Sequence, residues 1–389
     1  MATRPARSTA IVGIADRIGD WLLAHATLLL ALSVAALAVR VLLVPDPILM
    51  SDEYYYAKTT QLWAMQQQDA RQITGIEGRG EAGFPNALFF AIYRVAYAFG
   101  DNFYTVAKLL NVAFALVTAL AVERVGAFFL ERRAATLIAA LALWLPSTGY
   151  LAYFMPEALY ESLVWWGLAA FLMALPRDQR LASAALGALL GAAMLAKPNA
   201  AAVLVAANGV VALIAWRCLP PPQRLSRALQ ALLALNLAFV ATGYVLNLAL
   251  TGHLRWDPMG TFYKAGLAQL AVVEGNAGFA SDFTRYALVY VYALLIAFGP
   301  VALVLIAGPS PARDARTTAL WGFATIGVMA LLLGSAKVGV NWERVYVGHM
   351  AIYSTRYMSV LFPLLVIAFW RFAPLSAERR TLRRVAGLA

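Results

Sequence analysis

The stretch Met50 to Lys58 reads Met-Ser-Asp-Glu-Tyr-Tyr-Tyr-Ala-Lys, an acidic doublet followed by three tyrosines. Asp52 and Glu53 come a few residues after an apolar run from Trp21 to Val44, so they stand where a membrane helix meets water. A carboxylate at that depth can take the proton of an attacking hydroxyl, which is general-base chemistry. It can equally serve a helix running from about Glu53 to Gln68, with Ser51 or Asp52 as the N-cap, the acidic pair facing free amides and the tyrosines in the headgroup belt. The two readings are compatible.

Lys197 is the second residue of this kind. It sits in Met-Leu-Ala-Lys-Pro-Asn between two apolar runs, with Pro198 breaking the helix, so an ammonium is expected at headgroup depth. There it can bind a lipid phosphate or simply snorkel to water. The first outer loop adds Asp69, Arg71, Glu77, Arg79 and Glu81 among glycines at 75, 78, 80 and 83. A second loop carries His253, Arg255, Trp256, Asp257, Lys264, Glu274, Asp282 and Arg285, and a third Lys337, Trp342, Glu343, Arg344, His349, Arg356 and Tyr357. Its basic residues can hold an anionic leaving group, and its aromatics can stack on sugar rings or anchor the interface. The three histidines have no partner at ligand spacing, and the single Cys218 permits neither a disulfide within the chain nor a cysteine-based metal site, so no metal and no cofactor are expected. There is no Gly-x-Ser-x-Gly elbow.

The elements that must position these residues are membrane helices. The 389 residues are 62% hydrophobic and 13% charged, about half the charge of an ordinary soluble chain. Long Leu/Ala/Val runs, with none of the short alternating segments of a barrel, give an all-α polytopic helix bundle. Runs of spanning length fall at 21–44, 103–125, 134–150, 157–175, 181–196, 199–216, 228–250, 286–307, 318–334 and 356–372, about ten transmembrane helices. The polar, arginine-bearing start leads into a span that reads as retained and not as a signal peptide. Residues 84–99 are short for a span and carry Arg94, so an interfacial or re-entrant helix is expected there.

Charge sets the orientation. With a cytoplasmic N-terminus, the inside segments are 1–20, 123–133, 176–180, 217–227, 308–317 and 371–389, and they hold 18 of the 31 Lys/Arg but 7 of the 20 Asp/Glu. The whole excess of +11 is therefore cytoplasmic, and it reports topology with no nucleic acid implied. Both termini are then cytoplasmic, in a plasma or bacterial inner membrane. The outer loops 45–102, 251–285 and 335–355 carry the candidate chemistry. The inner loops are connectors, with no Gly-rich phosphate loop. The chain reads as one membrane domain over 1–389.

Several stretches in order resemble the C-type (GT-C) glycosyltransferases, the superfamily of the protein mannosyltransferases and the lipid A aminoarabinose transferases. These are the outer-face Asp52-Glu53, Gly-Phe-Pro-Asn-Ala-Leu-Phe-Phe at 83–90, Phe-Gly-Asp-Asn-Phe-Tyr-Thr-Val-Ala-Lys-Leu-Leu-Asn at 99–111, Leu-Ala-Lys-Pro at 195–198, and Ser-Thr-Arg-Tyr-Met-Ser-Val-Leu-Phe-Pro at 354–363. Phe84 and Asn86 depart from the family's His-Pro-Pro-Leu segment, and the additional external domain that many members carry after the last spans is not expected. The resemblance implies an inverting transferase that moves a sugar from a polyprenyl-phosphate donor to a hydroxyl of a lipid, glycan or other acceptor on the outer face. Asp52 is then the base. Lys197 and Arg356, with Arg285 or Lys337, hold the phosphate, Glu53 and Glu81 orient the acceptor, and Tyr357 is a further substrate- or phosphate-binding residue. The alternative is a transporter or flippase for a lipid-linked saccharide, which would place ionisable groups near the midplane and show repeat symmetry. A binding subunit without catalysis is a third reading.

Overall fold

A computed structural model describes residues 17–44, 51–65, 86–252, 256, 284, 287, 288, 291, 314–333 and 360–372. Among them every regular element is helical. The α-helices are α1 (Ala26–Leu43), α2 (Ser51–Ala64), α3 (Ala87–Tyr93), α4 (Phe103–Gly126), α5 (Arg132–Ala142), α6 (Glu157–Ala174), α7 (Gln179–Met194), α8 (Ala200–Cys218), α9 (Pro221–Thr251), α10 (Ala315–Gly322) and α11 (Phe362–Phe372). Two 3-10 stretches, Arg94–Asn102 and Pro146–Ala152, lead into α4 and towards α6.

Five segments are long and apolar enough to cross a membrane by length and composition: Ala26–Leu43, Ala87–Gly126, Ala200–Cys218, Pro221–Thr251 and Ala315–Leu333. The second is not one rod. Gly100 at φ 58° turns the chain between the 3-10 stretch and α4, a conformation that costs an L side chain more than it costs glycine. The seven α-helical residues of α3 rise only about 10 Å, a third of the hydrocarbon core. The expected count of about ten spans is not reached in the described residues. Helices α5, α6, α7 and α11 fall outside the five by length, hydropathy or charge, and most of 286–307 lies outside the described residues.

The helix ends follow from local chemistry. Asp178 caps α7, its Oδ1 accepting the Arg180 amide at 2.7 Å. The Arg180 side chain pairs with the same carboxylate at 3.1 Å and, with that amide, holds the acid below its ordinary range. Asp314 caps α10 through Thr317 N at 2.9 Å. Pro221 and Pro222 open α9, where their missing amides cost nothing, and Gly252 at φ 71° closes it. The 31 residues of α9 make a rod of about 46 Å, longer than the hydrocarbon thickness.

The tightest helix pair is α7 against α9. A Cβ on Gly187 would stand 2.0 Å from the Leu235 carbonyl oxygen, and one on Gly191 would stand 2.4 Å from that of Phe239. The two contacts advance four residues on both helices, so α7 and α9 run parallel with backbones touching, the packing that small residues at i and i+4 permit. The buried face of α9 has the same spacing: Ala231, Leu235, Phe239, Gly243 and Asn247. Helix α8 returns alongside them, and Asn208 and Asn236 join it to α9 by a pair of amide hydrogen bonds at 2.7 and 3.4 Å.

The connections divide into two ends. At one, Arg316 of α10 donates to the Leu172 carbonyl at 2.8 Å and lies over the Phe128 ring at 4.4 Å. Cys218 meets Thr318 at 3.5 Å there. Arg124, Arg132, Arg133, Arg177, Arg180, Arg217, Arg224 and Arg371 belong to helix termini or connections of that end. The other end gathers the residues of interest.

Candidate active site

Five segments meet at this second end: the start of α2, the helix α3, the first half of α4, the link 153–157 that opens α6, and the turn 195–197 between α7 and α8. Their meeting is built on hydrogen bonds to main-chain atoms, which a dry helix bundle must satisfy internally.

Glu53, in the first turn of α2, is fully buried, and its Oε1 accepts the Phe154 N–H at 2.8 Å. On the other side of the same peptide, the Tyr153 carbonyl accepts Asn111 Nδ2 at 2.9 Å, and that amide group also reaches the Leu151 carbonyl at 2.9 Å. Tyr93 donates its hydroxyl to Asn111 Oδ1. The peptide between Tyr153 and Phe154 is thus gripped by a carboxylate from α2 and an amide from α4. Aromatic rings fill the space around it: Phe89 lies 4.3 Å from Tyr93, 5.5 Å from Tyr56 and 5.7 Å from Phe154, centroid to centroid.

Three residues beyond Phe154, Glu157 opens α6, and its carboxylate pairs with the Lys197 ammonium, each side chain only 6% exposed. Lys197 lies in the turn after α7, with its own N–H on the Ala193 carbonyl at 2.7 Å. Helix α3 docks on that turn, Leu88 N donating to Leu195 O at 3.0 Å and Asn86 Nδ2 to Ala196 O. Lys108 of α4 is also buried, its ammonium on the Val44 carbonyl at 2.6 Å and over the Tyr104 ring at 5.1 Å, which brings the end of α1 to the same place.

Of the residues expected from sequence, Glu53 and Lys197 are therefore brought to one link, 153–157, one holding its amide and the other its acidic residue. Neither is open to solvent. The expectation that Lys197 presents its ammonium at headgroup depth meets a side chain already paired with Glu157. Glu53 has a positioning contact in the interior. The main chain of Asp52 lies in the first turn of α2, which starts at Ser51, two residues before the expected helix over 53–68, so Ser51 and Asp52 are helical residues and not its N-cap; the side chain of Asp52 is outside the described residues. Glu81, Arg285, Lys337, Arg356 and Tyr357 lie outside them as well.

Sequence reasoning missed Glu157, Asn111, Tyr93 and Lys108 as members of this cluster. Their signal was present: a Glu, an Asn and a Lys inside apolar runs are costly unless partnered, and each is partnered here. Among the described residues no group of three His, Cys, Asp or Glu is placed to hold a metal ion.

Glu53 gives a direct expectation. Glu53→Gln keeps an acceptor oxygen for the Phe154 amide and should melt above Glu53→Ala. Glu53→Ala leaves that buried amide unsatisfied and should cost about 1–3 kcal/mol in a thermal unfolding series. Equal melting of the two variants would remove the clamp from the account.

No family model matches the chain, and no curated protein matches it. Two solved structures are similar in part. The Archaeoglobus fulgidus oligosaccharyltransferase, tethered through a disulfide bond to an acceptor peptide containing the NVT sequon, is 14% identical with a TM-score of 0.44, covering 93% of this chain and 53% of that one. The oligosaccharyltransferase of the same organism in complex with Zn and sulfate is 14% identical with a TM-score of 0.43, covering 92% and 50%. The chain thus spans about half the length of the solved structures it matches, and at these scores the likeness carries no argument about fold or chemistry.

Proposed function

We propose that the chain is an inverting membrane glycosyltransferase that moves a sugar from a polyprenyl-phosphate donor to an acceptor hydroxyl at the outer face. The observation that supports this reading is the placement of the acidic start of α2 at the end of the bundle opposite the arginine-rich termini, over a buried scaffold of Glu53, Asn111, Glu157 and Lys197. By charge asymmetry the arginine-rich end is cytoplasmic, which turns Asp52 outward.

The chemistry asks little of a cofactor. The Asp52 carboxylate takes the acceptor's hydroxyl proton as that oxygen attacks the anomeric carbon. The bond from that carbon to the phosphate oxygen breaks, its electron pair leaves on the lipid phosphate, and configuration inverts. Arg356, Arg285 and Lys337 supply positive charge to the departing phosphate, with Glu81 and Tyr357 on the acceptor side. Lys197 contributes through its pair with Glu157, which holds the ends of α6 and α7 together beneath the site; direct contact with the donor requires that pair to open.

The test is transfer of labelled sugar from a panel of polyprenyl-phosphate sugars by purified protein beside Asp52→Asn. Wild type should release label, and the carboxamide should lower turnover by about a hundredfold or more, as loss of a general base does. Full turnover by the variant rejects Asp52 as the base. If neither protein consumes donor while vesicles carrying wild type move a lipid-linked sugar across the bilayer, the chain is a transporter.

A further inference from the structure

Arg40 stands in the last turn of α1, beside the exposed Leu32, Val39 and Leu43. That is a lipid-facing surface, and a guanidinium within a turn of the hydrocarbon is costly unless its charge is answered. Among the described residues its contacts are all to neutral groups. Nη2 donates to the Thr148 carbonyl at 3.0 Å and to the Thr148 hydroxyl at 2.9 Å. The guanidinium carbon lies 5.8 Å from the centroid of Trp144, an indole that is 50% exposed and is itself fixed by its N–H on Ser33 Oγ at 3.0 Å. No carboxylate of the described residues lies within ion-pairing distance of Arg40.

A guanidinium has five N–H donors, and the Thr148 contacts use only those of Nη2. Thr148 thereby fixes the orientation of the fork while Nη1 and Nε are left to other ligands, beside an aromatic ring at the level where headgroups begin. We infer that Arg40 and Trp144 form a lateral site for the phosphate of a membrane lipid. A phosphate supplies a counter-charge that the described residues do not, and accepts an N–H bond from Nη1 or from Nε, the donors that Thr148 leaves. Both a phospholipid headgroup and a polyprenyl phosphate carry the required chemistry.

The site is joined to the buried cluster by chain. Thr148 lies in the 3-10 stretch that ends at Ala152, and the peptide of Tyr153 and Phe154 held by Asn111 and Glu53 follows at once. A lipid phosphate on Arg40 therefore rests at the bilayer rim of the same end, where a ligand arriving through the membrane plane enters. Sugar transfer is not needed for this inference, which concerns binding alone.

The test uses the whole purified chain in neutral detergent, with bound lipid counted by native mass spectrometry during titration with a polyprenyl phosphate, with phosphatidylglycerol and with inorganic phosphate. Arg40→Gln should weaken lipid binding by about tenfold or more, and Arg40→Lys should fall between it and wild type. Thr148→Val removes one of the ties that orient the fork without removing the charge, so it should weaken lipid binding less than Arg40→Gln does, whereas a purely structural Arg40 would leave lipid affinity unchanged in both folded variants. Weakening of both lipids identifies a headgroup phosphate site, and weakening of the polyprenyl phosphate alone identifies a carrier site. Unchanged lipid binding in a folded Arg40→Gln protein, or inorganic phosphate binding as tightly as either lipid, overturns the inference.

Discussion

Replacing Lys197 by alanine should destabilise the fold by about 3–5 kcal/mol, the cost of stranding one member of a buried ion pair. Its partner Glu157 is buried at the first residue of α6, and both side chains are 6% exposed, so water cannot take over the ammonium's part. The α6 N-terminus offsets some of the stranded charge, which puts Lys197→Ala towards the lower end and Glu157→Ala, which strands the cation, towards the upper. The double variant Lys197→Met/Glu157→Leu removes both charges with similar volume and should recover most of the loss. Unfolding midpoints of that double variant, of Lys197→Met and Glu157→Leu singly, and of wild type in one detergent form the cycle. Additive losses would mean that the two side chains do not act as a pair.

The same cycle separates two roles for Lys197. If the double variant recovers both stability and donor binding, the ammonium acts only through the fold. If stability returns and affinity for a polyprenyl phosphate does not, the ammonium touches the donor. A direct role would require the pair to open when substrate arrives, and donor binding to the stable double variant decides it.

Gly187→Leu should abolish the folded state, an effect above about 4 kcal/mol. The first carbon of any side chain there would sit 2.0 Å from the Leu235 carbonyl oxygen, which is rigid main chain in mid-helix and has nowhere to move. Even Gly187→Ala must part α7 from α9, losing the contact along the whole seam. Gly191→Ala, at 2.4 Å from the Phe239 oxygen, should behave alike. Gly209→Ala is the internal control: its Cβ would meet only side-chain atoms, Ile326 Cγ2 at 3.3 Å and Cδ1 at 3.6 Å, which need to give by only a few tenths of an ångström, so its cost should be far below that of Gly187→Ala. Folded yield and melting temperature across these variants give the test. A Gly187→Ala protein that melts with wild type would show that the helices do not approach this closely.

By itself, the sequence determined the class of element and much of its placement. Apolar runs at 103–125, 157–175, 181–196, 199–216 and 228–250 coincide with α4, α6, α7, α8 and α9 to within a few residues, except at the start of α9, because a lipid-facing helix must be apolar over a length fixed by the bilayer. Gly187 and Gly191 were also legible as a spacing, although only the partner helix tells whether such a spacing is used. It determined too that an acidic doublet opens α2, since Ser51 and Asp52 suit a helix start.

Only the tertiary structure decided which polar residues belong together. Glu53 and Asn111 are far apart in the chain, as are Glu157 and Lys197, and no periodicity marks them. They meet because the single peptide of Tyr153 and Phe154, and a single carboxylate at the head of α6, needed partners once water was excluded. Local propensity sets each helix from its own residues, whereas the cost of an unmatched charge or amide in a dry bundle is settled by whichever distant side chain the packing brings within reach.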